Sequence, residues 1–302
     1  MFDYLWIPIT LIAATFQVTR LGLQKNLKDK LSPVANAFAR FGFGLPLAFG
    51  YFVLQAFVHK AVPDVHLTFF LYILLGSVSQ IIGTILIVMV FSHRNFAVGV
   101  AYSKTEIFFV AILGSLLFGE HLSDLGILAI IIGTVAVVTI MAAKYHLAPE
   151  KLLDKIFSRQ SLLGMGAGLG FAFTAIGARH AILSLEGTPM LLNSALALAA
   201  FLTVETVLIG GYLLWREPKQ FQKMRQNLKM VNWVGWTSTL GSIAWFIAFA
   251  LQLPAYVKTL SQVEMVFSLL LTHYLFKERI LRREVLGMVL VAVSVVLLVL
   301  GT

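Results

Sequence analysis

A helix-length apolar segment with a carboxylate inside it occurs twice in this chain. The first copy reads Tyr102-Ser103-Lys104-Thr105-Glu106, an apolar run, then Leu117-Phe118-Gly119-Glu120. The second reads Leu260-Ser261-Gln262-Val263-Glu264, a similar run, then Leu275-Phe276-Lys277-Glu278. One offset of 158 residues carries Gly83 onto Gly241, Ser103 onto Ser261, Glu106 onto Glu264, Phe109 onto Phe267 and Glu120 onto Glu278. A repeat of this length restricts the chain to architectures built from two similar halves.

The solvent of those halves follows from hydropathy. Only 12% of the 302 residues are charged and 59% are hydrophobic, whereas a soluble domain carries about a quarter charged residues. A water-soluble protein is therefore excluded. Uninterrupted apolar runs of about 20 residues recur throughout, the length a helix needs to cross a bilayer. The short alternating segments of a membrane β-barrel are absent. The pattern predicts an all-α polytopic membrane protein with ten spans, at about 4–24, 32–58, 67–91, 96–118, 122–143, 161–183, 189–215, 230–252, 254–276 and 280–301.

Five spans fall in each half. The expected organisation is a first repeat over 1–143, an amphipathic linker over 144–160 and a second repeat over 161–302. In the linker, Leu152, Leu153, Ile156 and Phe157 follow Pro149-Glu150 at helical spacing, which suggests a short interfacial helix. Pro33 and Pro189 open the second span of each half. Because five is odd, the copies cross in opposite directions, an inverted-topology repeat that places a binding site near the midplane. Loops after odd-numbered spans, with the adjoining span ends, hold 17 of the 23 Lys and Arg; loops after even-numbered spans hold only Lys60. The positive-inside rule then puts the odd loops in the cytoplasm and both termini outside. The basic surplus of +9 reads as orientation ahead of nucleic-acid binding. Residues 216–229, with Arg216, Lys219, Lys223, Arg225 and Lys229, suit anionic headgroups. The first span is long enough to cross, and Met1 to Asp3 lack the basic n-region of a cleavable signal.

Apart from Asp124, Arg282, Arg283 and Glu284 at the starts of their spans, eight charges lie inside the predicted spans: Arg20, Arg40, Lys104, Arg179, Lys258, Glu106, Glu205 and Glu264. Each costs about 2.5–3.5 kcal/mol at a helix centre. A hydrated cavity enclosed by the helices explains all of them together. Arg20 and Arg179, late in their spans, and Lys258, early in its own, can also snorkel to an interface. Internal ion pairs that only fix packing are the plain alternative for the rest. Glu106 and Glu264, at repeat-equivalent positions, are the expected coupling or gating acids. Arg40, Lys104 and Lys258 are expected to face substrate, with Glu205 as their partner. Cations outnumber acids inside the spans, which points to an anionic substrate such as a phosphate or carboxylate. Tyr102 and Trp245 are candidate pocket aromatics, as likewise are Phe108, Phe246 and Tyr256.

Gly164, Gly166, Gly168 and Gly170 form a ridge for close helix packing, and Gly42, Gly44 and Pro46 mark a kink in the second span. The glycine ridge does not fit G-x-G-x-x-G, so no dinucleotide cofactor is expected, and no G-x-x-x-x-G-K-[ST] motif signals an ATPase. With no cysteine and no metal-spaced histidines, no metal site is expected.

Leu116-Leu117-Phe118-Gly119-Glu120-His121-Leu122 with Gly126 and Gly133, and Tyr274-Leu275-Phe276-Lys277-Glu278-Arg279-Ile280 with Gly287, resemble the drug/metabolite transporter superfamily, in particular its EamA-type ten-helix members. The resemblance implies a non-enzymatic secondary transporter or exporter of the inner (plasma) membrane, with a small-molecule substrate bound among spans 1–4 and 6–9. It also implies cytoplasmic termini, opposite to the charge count. Members often carry proline a few residues into spans 4 and 9, where this chain has Glu106 and Glu264. An exporter of neutral or cationic amino acids or drug-like metabolites is the alternative within that class. An intramembrane enzyme using Glu106 or His273 as base, or a structural partner held by ion pairs, are the rivals outside it.

Overall fold

The computed structural model describes residues 4–91, 102–144, 157–267 and 281–301. Among them every regular element is a helix. In the first half these are α1 (Trp6–Leu27), α2 (Pro33–Phe41), α3 (Leu45–His59), α4 (Leu67–Phe91), α5 (Glu106–Phe118) and α6 (Asp124–Lys144). The second half has α7 (Arg159–Leu183), α8 (Met190–Arg216), α9 (Lys219–Gln226), α10 (Leu228–Leu251), α11 (Pro254–Ser261) and α12 (Arg282–Leu300). Among the described residues, seven spans are long and apolar enough to cross a membrane: α1, α2 with α3, α4, α7, α8, α10 and α12. The fourth and ninth predicted spans run into residues outside the described ones, and the interfacial helix expected at 149–157 lies almost wholly outside them.

The outer surface is that of a membrane protein. Phe57, Leu116, Leu214 and Val207 are exposed, Phe57 by 80%, while Arg20, Gln24, Asn36, Arg40 and Glu205 are buried. Such an inside-out distribution is stable only where the surroundings are apolar.

Local chemistry sets the helix ends. Ser32 caps α2 by accepting a hydrogen bond from the Ala35 N–H at 3.2 Å, with Pro33 in the first turn where its missing N–H costs nothing. The Asn36 amide donates to the Gln24 carbonyl at 2.8 Å and the Gln24 amide to the Asn36 carbonyl at 3.2 Å, locking α2 to α1 in the buried interior. The expected kink in the second span is a full break between α2 and α3. There the backbone of Phe43 and Gly44 crosses Gly235 of α10. A Cβ on Gly235 would lie 2.6 Å from the Phe43 carbonyl carbon. Only glycine permits that approach.

Small residues also bring the two halves together. The most extensive packing is α4 on α7, α12 on α6 and α1 on α10. On α4, Gly76 faces Gly177 and Gly83 faces Gly170 of α7; a Cβ on either α7 glycine would meet α4 backbone within 3.1 Å. Gly83 also abuts Ala167 and Phe171 of α7, and its counterpart Gly241 abuts Ala13 and Phe16 of α1. Because α7 rises from Gly170 to Gly177 while α4 falls from Gly83 to Gly76, these two helices run antiparallel.

The basic segment after α8 contains α9. Its Met224 is buried and its Phe221 ring packs edge-on against Phe38 at 5.6 Å, leaving the lysines outward.

Candidate functional site

Two of the inner helices are broken at the same repeat position. Residues 102–103 form a helical turn, 104–105 a non-helical step, and α5 restarts at Glu106. Likewise α11 ends at Ser261, Gln262 steps out of the helix, and helix resumes at 263. Hydroxyls hold both breaks: Thr105 Oγ1 donates to the Tyr102 carbonyl at 2.6 Å and Ser261 Oγ to the Lys258 carbonyl at 2.7 Å. Glu106 and Glu264 therefore both stand in the first turn of a restarted helix, where the positive end of the helix dipole favours a carboxylate.

Each acid is met by a lysine from the other half. Lys258 Nζ lies 2.6 Å from Glu106 Oε1, and Lys104 donates to Glu264 Oε1. The Lys258 contact falls outside hydrogen-bond angles, so charge attraction dominates it. The Lys258 ammonium also stands 4.4 Å from the ring centre of Trp245, within cation–π range. Neither lysine snorkels.

These four residues line a cavity of about 360 Å³. Gln17, Arg20 and Lys25 of α1, Arg40 of α2, Gln80 of α4, Phe171 and Thr174 of α7, and Ser242, Trp245 and Phe249 of α10 complete its main walls. Arg20 donates to Gln24, one turn along its own helix. Arg40 donates through Nε to Ser238 Oγ at 3.0 Å and through a terminal nitrogen to Thr84 Oγ1 at 2.9 Å. Its hydrogen-bond partners are thus neutral hydroxyls. Val18, Gly22 and Lys25 line the cavity and are exposed. They mark its mouth, at the end of α1 that continues into Lys28 and Lys30.

Glu205 of α8 sits just behind this wall. It is 0% exposed and lines a crevice that shares Arg40, Gln80, Ser242 and Phe246 with the main cavity.

Arg179 lies elsewhere. One of its terminal nitrogens donates to the carbonyls of Phe249 at 2.6 Å and Gln252 at 2.8 Å, filling acceptors left open at the C-terminus of α10. Its Nε is 3.6 Å from Glu120 Oε1, and His180 stacks on Phe118 at 3.9 Å beside Tyr72. This cluster closes the bundle at the end opposite the mouth. Tyr72 near the start of α4 belongs to it and Ile87 near the end of α4 lines the cavity; at 1.5 Å per residue the two are about 22 Å apart. The Glu120 side chain is only 7% exposed in this cluster.

Of the ten candidate residues, seven line one cavity: Arg20, Arg40, Lys104, Glu106, Trp245, Lys258 and Glu264. Glu205 adjoins it, while Arg179 and Tyr102 do not line it; Tyr102 meets Ser161 near the start of α7. Sequence reasoning missed Gln17, Lys25, Gln80 and Ser242. A signal was present: Gln17, Arg20 and Gln24 recur at helical spacing in an apolar span, as do Gln80 with Thr84 and Ser238 with Ser242.

No curated protein matches this sequence. A solved structure, described only as "Crystal structure of protein", superposes with a TM-score of 0.70 at 14% identity, covering 97% of this chain and 97% of that one. The likeness extends the same fold to nearly the whole chain. The sequence match is confined to the second half. Residues 159–300 match the model of the EamA-like transporter family, so in this multi-pass membrane protein the sequence likeness to that family runs from α7 to α12.

Proposed function

We propose that the protein is a secondary transporter that moves a small anionic metabolite or lipid headgroup across the inner membrane by alternating access, through the cavity between its two halves. The observation that carries this reading is the charge of the cavity wall. Arg20, Arg40, Lys104 and Lys258 face Glu106 and Glu264 inside the cavity. Two reciprocal ion pairs use both acids and both of these lysines, and Arg20 and Arg40 leave the remaining charge positive. A positive excess in a membrane interior is costly, and an anion in the cavity offsets it. The aromatic side, with Phe171, Trp245 and Phe249, suits an apolar body attached to the anionic group.

An inverted pair of five-helix repeats is the architecture that fits this mechanism. The 158-residue offset exchanges α1 with α7 and α4 with α10, and the observed packing pairs α1 with α10 and α4 with α7. A pseudo-twofold relation requires that exchange. The ion pairs cross between the same halves, so rocking one half against the other makes and breaks them together. The outward lysines of α9 would rest on anionic headgroups.

Thermal unfolding of the purified full chain against anionic metabolites, phospholipid headgroups and amino acids tests the reading, because a binder of the folded state raises the melting point. Stabilisation confined to anions, lost in Arg40→Gln and followed by uptake into proteoliposomes, is expected. Turnover of a substrate in detergent with no uptake into vesicles would replace transport with intramembrane catalysis.

A further inference from the structure

The expected coupling acids, Glu106 and Glu264, are each already neutralised by a lysine of the opposite half. Glu205 is different. Both of its carboxyl oxygens are buried without a hydrogen-bond partner among the described residues. The crevice around it is lined by Arg40 and Phe41 of α2, Gln80 of α4, its own helix, and Ser238, Ser242 and Phe246 of α10. Among these, Arg40 alone carries charge. Yet the guanidinium of Arg40 is held by the hydroxyls of Ser238 and Thr84, with its charge presented to the cavity.

We infer that Glu205 is the proton-coupling acid of this cavity: it holds a proton while Arg40 faces an anion, and gives it up to become Arg40's ionic partner when the cavity is empty. This deepens the transport reading above and rests on it. Burial without a hydrogen-bond donor disfavours the ionised carboxylate even with Arg40 across the crevice, so we take the unbonded side chain to be the neutral acid. Arg40 is then free to serve a bound anion. When the anion leaves, Arg40 is the uncompensated charge, and the nearest acid able to balance it is Glu205. Losing its proton lets Glu205 attract the guanidinium across the shared crevice. Gln80 and Ser242, which line both spaces, give the proton a polar path to cavity water. The balance is one proton taken up for each anion bound and one returned for each anion released, which makes the transporter an anion–proton symporter.

The sign follows from linkage. A ligand that binds only the protonated form weakens as pH rises through the acid's titration, by about tenfold per pH unit. The test uses benzenesulfonate, which stays ionised throughout, so any proton taken up belongs to the protein. With wild-type protein, its affinity is expected to fall about tenfold per pH unit on the alkaline side, with about one proton absorbed per anion bound. In Glu205→Gln, which mimics the neutral acid, binding persists, the slope vanishes and no proton is absorbed. Binding that is flat with pH in wild type, or equally steep in Glu205→Gln, overturns the assignment and leaves anion transport standing.

A ligand-free arm separates the two ideas further. The infrared carboxylic-acid band of the full chain should lose one component in Glu205→Gln. In Arg40→Gln that component should persist to higher pH than in wild type. If its titration ignores Arg40, the coupling is refuted whatever the anion does. If benzenesulfonate and inorganic phosphate both fail to bind while the infrared shift appears, the anion reading fails and the Arg40–Glu205 switch survives.

Discussion

Lys258 lies 2.6 Å from Glu106, a contact that joins two helix breaks from opposite halves of the chain. The reciprocal contact, Lys104 to Glu264, uses the other lysine and the other acid. Yet the lysines are not repeat equivalents, since Lys104 aligns with Gln262. The reciprocity is a property of the assembled cavity. Removing one partner strands the other in a partly buried site, at a cost of about 3 kcal/mol. Lys258→Glu and Glu106→Lys singly should each lower the melting point by several degrees. The double exchange should recover part of the loss, because it restores the pair but puts a cation at the start of α5 and a carboxylate against the Trp245 ring. A double-mutant cycle on thermal unfolding reads the coupling; additive effects would show that the contact carries no energy.

Gly168 of α7 places the first of these breaks. A Cβ there would lie 2.8 Å from the Ser103 carbonyl oxygen and 3.0 Å from the Glu106 nitrogen. Both are backbone atoms flanking Lys104, so neither can rotate away. Gly168→Ala should cost about 2 kcal/mol and displace Lys104 from Glu264. Gly22→Ala is the control, since its added methyl would meet nothing within 4 Å although it too lines the cavity. Loss of anion-induced stabilisation in Gly168→Ala, with Gly22→Ala unchanged, is the expected pattern in a thermal-shift assay.

Much of this was legible from residue order, because bilayer physics makes apolar length conspicuous. Hydropathy located α1, α4, α7, α8, α10 and α12 within a few residues, and the misplaced charges Arg40, Lys104, Glu106 and Glu264 identified the cavity wall. Gly42, Gly44 and Pro46 correctly signalled a break in the second span. The fate of Arg179 was not legible. A late-span arginine that snorkels and one that caps a neighbouring helix have the same sequence context, and the deciding acceptors, the carbonyls of Phe249 and Gln252, are backbone atoms. The isolation of Glu205 was hidden for a related reason. Whether a carboxylate pairs with a cation depends on where Ser238 and Thr84 hold Arg40.

Arg179 ties three elements together at the closed end, and its removal should be read in both stability and access. Arg179→Ala leaves the α10 carbonyls unfilled and Glu120 buried without its cation, at a cost of about 3 kcal/mol. Pairing it with Glu120→Ala removes the stranded acid and should restore part of the loss. If this end must open during transport, the double variant should also raise the reactivity of cavity positions from that side. A stability loss with unaltered access would make the cluster purely structural.

The orientation of the mouth is decided by a labelling experiment that the absence of cysteine makes clean. Gly22 is exposed, lines the cavity and has open space around it, so Gly22→Cys should fold normally and react with a thiol reagent. Glu186 is exposed just beyond the end of α7, near the closed cluster, and Glu186→Cys reports the opposite face. The distribution of Lys and Arg puts Lys25, Lys28 and Lys30 in the cytoplasm. In intact cells a membrane-impermeant reagent should therefore label Glu186→Cys at once and Gly22→Cys only after lysis. Cytoplasmic termini reverse that order. The anion adds an independent readout: benzenesulfonate should slow the reaction at Gly22→Cys by occupying the space beside Arg20 and Arg40, and leave the rate at Glu186→Cys unchanged. Protection at neither position would mean that the cavity does not hold the anion.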